Sequence, residues 1–271
     1  LPRIPDLLQQ SVVFLYPNAE AVREGGQAGG TGFFIQSRHE DCSKPVQYLV
    51  TNIHVAQAED RIVPIATRNG EVELHQIPGS DWVNHPNGDD IAAVSLPSKP
   101  HWAISALDWA SLAVMRPRMV ELNMGVGDEV FMLGRFIAHG ALQLYRPLAR
   151  FGNVAMMPGP LVKDGRGLEV EAFLVEMRSL SGFSGSPVFA YIGPGTYRGN
   201  GTMMPFFSET IGLMGIDTGH KATLGNVCHK EDGKETDLVV SLNTGVSVVA
   251  PAWRIEELLT CVAFRNRRSH A

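Results

Sequence analysis

Three stretches of the chain carry residue types that together could cleave an acyl bond. Gly182-Phe183-Ser184-Gly185-Ser186-Pro187 sets a serine among glycines. A nucleophilic serine needs a tight turn that exposes Oγ and aims nearby N–H groups at one point. Flanking glycines permit such a turn. The N–H groups of Gly182 and Ser184 would then hold a developing oxyanion, a contribution of about 3–4 kcal/mol per donor. The pattern is not a GxSxG elbow, because position 186 is Ser and a strand, not a helix, follows. A plain Gly/Ser turn between strands would look the same in isolation. Tyr48-Leu49-Val50-Thr51-Asn52-Ile53-His54 is an apolar strand ending in a histidine. Imidazole is the natural general base near neutral pH, although a lone histidine at a strand end is more often structural. Asp89-Asp90-Ile91-Ala92-Ala93-Val94 places an aspartate at the mouth of another strand. There it would orient the imidazole and stabilise its protonated form; alone it reads as a turn residue.

The elements that must position these groups are short strands. Ser11–Tyr16, Val46–Thr51, Arg61–Thr67, Glu71–Ile77 and Ile91–Leu96 are strand-like, and Gly29-Gly30-Thr31-Gly32 turns into Phe33-Phe34-Ile35. Asn69-Gly70 is a favoured two-residue hairpin turn. Strand patterning lapses from Pro97 to Pro117, a proline- and tryptophan-bearing crossover. It resumes at Glu129–Leu133, Asn153–Met156, Phe173–Met177, Ser186–Tyr191, Ile211–Ile216, Leu238–Leu242 and Val246–Val249. Ile192–Phe207 and Asp217–Asp237 read as long surface connections. Pro251 suits a first helical position, and Ile255, Leu258, Leu259 and Val262 recur on one helical face. The expected fold is all-β: two antiparallel β-barrels side by side, with a C-terminal helix. Residues 1–108 form the barrel with His54 and Asp90. Residues 109–271 form the barrel with Ser184, plus the helix.

Composition narrows the function classes. The 271 residues are 44% apolar and 19% charged, ordinary for a globular chain. A net charge of -5 gives no general attraction for phosphate backbones, so nucleic acid is not an expected partner. Arg265-Asn266-Arg267-Arg268 is a basic cluster read as a solvated tail. Cys42, Cys228 and Cys261 are odd in number and form no CxxC, which argues against a disulfide framework and for a reducing, cytoplasmic setting. No apolar run is long enough for a membrane helix, so no membrane partner is expected. No signal-peptide core follows Leu1, and the missing initial Met leaves open a processed form. His220, Cys228 and His229 form a loose cluster without a fourth ligand, so neither metal nor cofactor is expected.

Taken together, the three stretches resemble the trypsin/chymotrypsin-like serine peptidases, whose triad runs His, Asp, Ser along the chain. Gly30-Thr31-Gly32-Phe33-Phe34-Ile35 is similar to that family's strand before the histidine. Val126-Gly127-Asp128-Glu129-Val130-Phe131-Met132-Leu133-Gly134 is similar to the opening of the second barrel in bacterial Deg/HtrA-type peptidases. Gly212-Leu213-Met214-Gly215-Ile216 resembles the strand bordering the substrate cleft, and Gly245-Val246-Ser247-Val248 with the helix resembles the closing elements. The likeness covers about Gly29 to Thr260. It implies a serine endopeptidase with His54, Asp90 and Ser184 as triad and Gly182 and Ser184 as oxyanion donors. The family's Asp-Ile/Leu-Ala pattern selects Asp90 over Asp89. Thr218 takes the place of a hydroxyl supporting the triad aspartate, and Thr218, Gly219 and Gly245 fall beside the substrate. Arg178 falls near the floor of the specificity pocket. Pointing inward it would pair with an acidic P1 side chain; facing outward or paired internally it would not. A protein or peptide is the implied substrate, with room for a regulatory partner or further domains.

The chain also departs from the family. Phe183 stands where digestive trypsins carry the aspartate that pairs with a new N-terminus, and the Ile-Val-Gly-Gly start is missing. Activation by that ion pair is therefore not expected. Val55 replaces a cysteine of the secreted enzymes, and the peptide-binding module of Deg/HtrA proteins is not expected in this chain. The alternative to an active peptidase is a catalytically silent peptide-binding module on the same fold. An esterase using the same triad would differ only in its cleft.

Overall fold

The structure is a computed structural model. It describes residues 3–24, 29–56, 59–135, 147–177, 182–198, 201, 203–204, 210–229 and 235–269. In the first part of the chain, β1 (Val12–Leu15), β2 (Gly30–Ser37), β3 (Val46–Thr51), β4 (Arg61–Ala66), β5 (Val72–Ile77), β6 (Val83–Asn84) and β7 (Ala92–Ser95) precede β8 (Leu107–Asp108). The rest supplies β9 (Glu129–Gly134), β10 (Leu148–Met156), β11 (Val162–Lys163), β12 (Glu169–Val170), β13 (Phe173–Glu176), β14 (Pro187–Ile192), β15 (Thr210–Cys228) and β16 (Glu235–Pro251). The helices are α1 (Asp6–Gln10), α2 (Ala19–Arg23), α3 (Ile53–Ala56), α4 (Trp109–Leu112), α5 (Arg116–Glu121), α6 (Ala252–Leu259) and α7 (Val262–Ser269).

The fold is all-β, as expected. Strands order β1-β2-β3-β7-β6 in the first sheet, and the hairpin β4–β5 joins β1 through a bridge between Tyr16 and Ile62. The second sheet closes as a barrel in the order β10-β13-β16-β15-β14-β9. Pairing is antiparallel apart from β8, which runs parallel to β2. Alternation explains why Phe33–Ile35 of β2 and Tyr48–Val50 of β3 are apolar and buried on both faces. Phe34 and Leu49 point into the core of the first sheet, whereas Phe33, Ile35, Tyr48 and Val50 point into a second core. That second core also takes Phe131, Phe189, Leu213 and Ile216 from the barrel. One apolar layer therefore cements the two sheets, and the residues with chemistry lie at its edge.

Four expectations need correction. The stretch Asp217–Asp237 is not a loop: β15 continues to Cys228 and β16 starts at Glu235, pairing as a long ribbon. The Asn69-Gly70 turn is wider than two residues, since Thr67 N–H donates to Glu71 O and Gly70 N–H to Thr67 O. His54 does not end a strand. β3 stops at Thr51 and the histidine sits on the one-turn helix α3. The terminal helix breaks after Leu259, so Val262 starts α7 and is exposed rather than sharing the buried face of α6. Pro251 precedes α6 as its cap, where a missing N–H costs nothing.

Candidate active site

β3 delivers His54 to the edge of the shared core. After its last residue the chain turns through Asn52, whose buried side chain donates to Asp90 O at 2.7 Å. Asp90 lies just before β7 and is itself buried. Both oxygens of its carboxylate serve the histidine: Oδ2 lies 2.5 Å from His54 Nδ1, and Oδ1 accepts the His54 backbone N–H at 3.2 Å. A carboxylate only accepts, so Nδ1 carries a proton, and in the neutral ring the lone pair is then on Nε2. The imidazole side chain is 42% exposed.

The adjacent aspartate has other partners. Asp89 accepts from Arg254 Nε on α6, and Arg254 also donates to Glu257 at 2.8 Å. His85 is buried beside this pair, 3.6 Å from Asp89 and 3.6 Å from Glu257. Burial pushes His85 below the ordinary imidazole value, with Asp89 pulling in the opposite direction. On the other flank, Arg166 donates to Gly88 O at 2.9 Å and pairs with Asp164. The turn carrying Asp90 is thus clamped from two elements of the second half of the chain.

Ser184 sits in a turn whose glycines adopt left-handed backbone, φ +95° at Gly182 and +87° at Gly185. A Cβ on Gly185 would lie 2.0 Å from Thr31 O, so this position admits no side chain. Thr31 straps the turn to β2. Its N–H donates to Ser184 O at 2.8 Å and its hydroxyl to Gly182 O at 2.7 Å. Its own carbonyl accepts from Thr51 Oγ1 at 2.6 Å, just ahead of His54. Gly185 N–H donates to Asp217 O, and Asp217 N–H to Ser186 O, both at 2.9 Å. Phe183 is fully buried in the barrel core and anchors the turn from below. Gly30 brings the two walls together: a Cβ there would meet Ser184 O at 2.9 Å and the Val55 side chain at 2.5 Å. Among the described residues, neither the Gly182 nor the Ser184 N–H has a protein acceptor, and no hydrogen bond joins Ser184 Oγ to His54.

Structural neighbours are HtrA-type, trypsin-like protease domains. The MamO protease domain from Magnetospirillum magneticum, in its apo form, superposes with a TM-score of 0.55 at 16% identity, covering 94% of this chain and 98% of that one. The HtrA-type protease AlgW, solved with a decapeptide, superposes with a TM-score of 0.51 at 14% identity, covering 94% of this chain and 65% of that one. This is the trypsin-like protease fold. No protein-family model and no curated protein matches the sequence.

The remaining expected residues are distributed as follows. The Thr218 hydroxyl donates to Val248 O at 3.1 Å on the neighbouring strand, and among the described residues no hydrogen bond joins it to Asp90. Gly219 and Gly245 both have left-handed backbone, +128° and +80°, where the β15–β16 ribbon leaves the barrel. Gly245 O accepts the Met177 N–H at 2.7 Å. Arg178 lies outside the described residues. His220 and Cys228 stand at opposite ends of the ribbon, and among the described residues no three His, Cys, Asp or Glu side chains gather as a metal site. Sequence reasoning missed Thr31, Asn52, Arg166 and Arg254. Only Thr31 carried a signal, as the one hydroxyl inside a glycine-rich strand start.

Proposed function

We propose that the chain is a serine endopeptidase. The observation that carries this reading is the Asp90–His54 pair, with both carboxylate oxygens committed to one histidine, beside a serine turn strapped to the same strands. Ser184 Oγ attacks the scissile carbonyl while its proton passes to His54 Nε2. Asp90 holds the ring in the required tautomer and stabilises the imidazolium. The N–H groups of Gly182 and Ser184 receive the oxyanion. His54 then gives the proton to the leaving amine, forming the acyl-enzyme. Water, deprotonated by His54, releases the acid product and restores Ser184. No cofactor enters this sequence. The backbone of Thr218, Gly219 and Gly245 borders the substrate in this reading.

One observation favours the second reading, a silent peptide-binding cleft: the lack of a Ser184–His54 hydrogen bond among the described contacts. Catalytic hydrogen bonds commonly tighten only when substrate is bound, so the peptidase reading stands first. The deciding experiment is labelling with a reporter fluorophosphonate. Wild type should be labelled at Ser184, and Ser184→Ala should not be. Peptidase turnover in Ser184→Ala should fall by about 10⁴-fold or more. A wild-type chain that binds peptides but neither labels nor cleaves would establish the silent module instead.

A further inference from the structure

Beyond the barrel, β15 and β16 continue as a free two-stranded arm, paired from Ala222–Asn243 out to Cys228–Glu235. Residues 222–227 and 238–243 contain no charged side chain and no proline. Leu224, Leu238 and Val239 are 71%, 65% and 61% exposed, and Val240 and Leu242 are exposed too. Val240 and Leu242 share a face, since a Cβ on Gly225 would lie 3.7 Å from the first and 2.7 Å from the second. Strand alternation adds Leu238 to that face and puts Leu224, opposite Ser241, with Val239 on the other. Natural edge strands are blunted by charge, proline or bulging, and an isolated two-stranded ribbon is marginal in water. The middle of this arm has neither charge nor proline.

The arm is also polarised. Its far end carries Glu235 and Asp237, and its barrel end carries Lys221, whose ammonium donates to the carbonyl of Lys163. The connection 230–234 adds two lysines and two acids, which cancel. We propose that the arm is a dimerisation element whose occupant is the arm of a second copy, laid antiparallel about a twofold axis near Gly225. An isologous contact needs a patch that matches itself under reversal. This arm does: reversal sets apolar middle on apolar middle and each acidic tip over the other copy's lysines. Tip-to-tip pairing would set acid against acid. Each strand of the arm spans about seven residues, roughly 24 Å.

The test is sedimentation velocity on the whole chain from about 1 to 100 µM, the range in which such a contact declares itself by concentration. Wild type should sediment as a dimer. Leu238→Thr/Val240→Thr/Leu242→Thr, which keeps β-propensity, should raise the dissociation constant about tenfold or more. Glu235→Lys/Asp237→Lys should weaken the dimer, and adding Lys163→Glu/Lys221→Glu should restore it. Unchanged near-UV circular dichroism checks that the barrel is intact in each variant. A monomer throughout the range, unweakened association in the apolar variant, or failure of the charge swap to restore it would overturn the proposal. So would ready Cys228–Cys228 disulfide formation in the dimer, because antiparallel arms keep those thiols roughly 20 Å apart. The readout is mass, so it stands apart from whether Ser184 is a nucleophile.

Discussion

Phe183→Ala separates support of the serine turn from contact with substrate. The ring is fully buried among Val130, Met132, Val188 and Met214. It lies close over Gly134, where a Cβ would approach it to 2.7 Å. The Arg150 guanidinium lies 5.5 Å from the ring centre. Truncating a phenylalanine in such a site costs about 3–5 kcal/mol, from lost burial and the cavity left behind. Phe183→Leu, which retains most of the volume, should cost about 1–2 kcal/mol. Urea unfolding followed by tryptophan fluorescence reads both values from the midpoint at constant m. The kinetic consequence differs from the thermodynamic one. Phe183 sits between the two proposed oxyanion donors, so loosening it should lower kcat by about 10²–10³, the cost of one misplaced donor. KM should change by no more than about threefold, because the oxyanion exists only in the transition state. A loss of less than about 1 kcal/mol with kcat intact would refute the reasoning. A defect confined to KM would do so as well.

Other outcomes follow from the same geometry. Arg254→Ala leaves the Asp89 carboxylate buried without its guanidinium and should cost about 3–5 kcal/mol; the double variant with Asp89→Ala should recover part of that in a denaturant cycle. Gly185→Ala should abolish fluorophosphonate labelling of Ser184, since the new Cβ would collide with Thr31 O and the backbone is left-handed there. His85 binds a proton less readily in the folded chain than at its unfolded value of 6.5, owing first to burial. Its contribution to stability is therefore full above that pH and is lost as pH falls below it. His85→Gln should flatten the acid side of the stability profile, and an unchanged slope would remove His85 as its source. Glu73 is held down to about 2 by hydrogen bonds from Lys99, His101 and Trp102. Its contribution is present above its unfolded value of 4.5 and is lost as pH falls toward 2, so Glu73→Gln should reduce the difference in stability between pH 5 and pH 3.

The strands were legible because alternation and turn residues are local signals, and the glycines around Ser184 marked their turn through a backbone demand that any sequence must meet. Asp90 could be chosen over Asp89 by family pattern. The structure supplies the physical reason for their difference, an arginine in the last part of the chain that claims Asp89. No local signal could have announced Arg254 or Arg166, because each acts across a long separation in sequence. The ribbon escaped for the opposite reason. His220 to Asp237 is rich in polar and turn-forming residues, and its two strands stabilise one another only by pairing across the connection. Val262 was misassigned because periodicity continues through the break at Thr260–Cys261, where the chain changes direction without changing its hydrophobic rhythm.

Thr31 ties the serine turn to the first sheet with its amide and hydroxyl, while α6 supplies the arginine beside the Asp90 turn. During synthesis the first sheet emerges before the serine, and α6 emerges later still. The contacts that hold the proposed nucleophile and its histidine in register are therefore complete only once α6 has left the ribosome. The geometry proposed to cut peptide bonds is thus assembled after the period when the chain is itself most exposed to being cut.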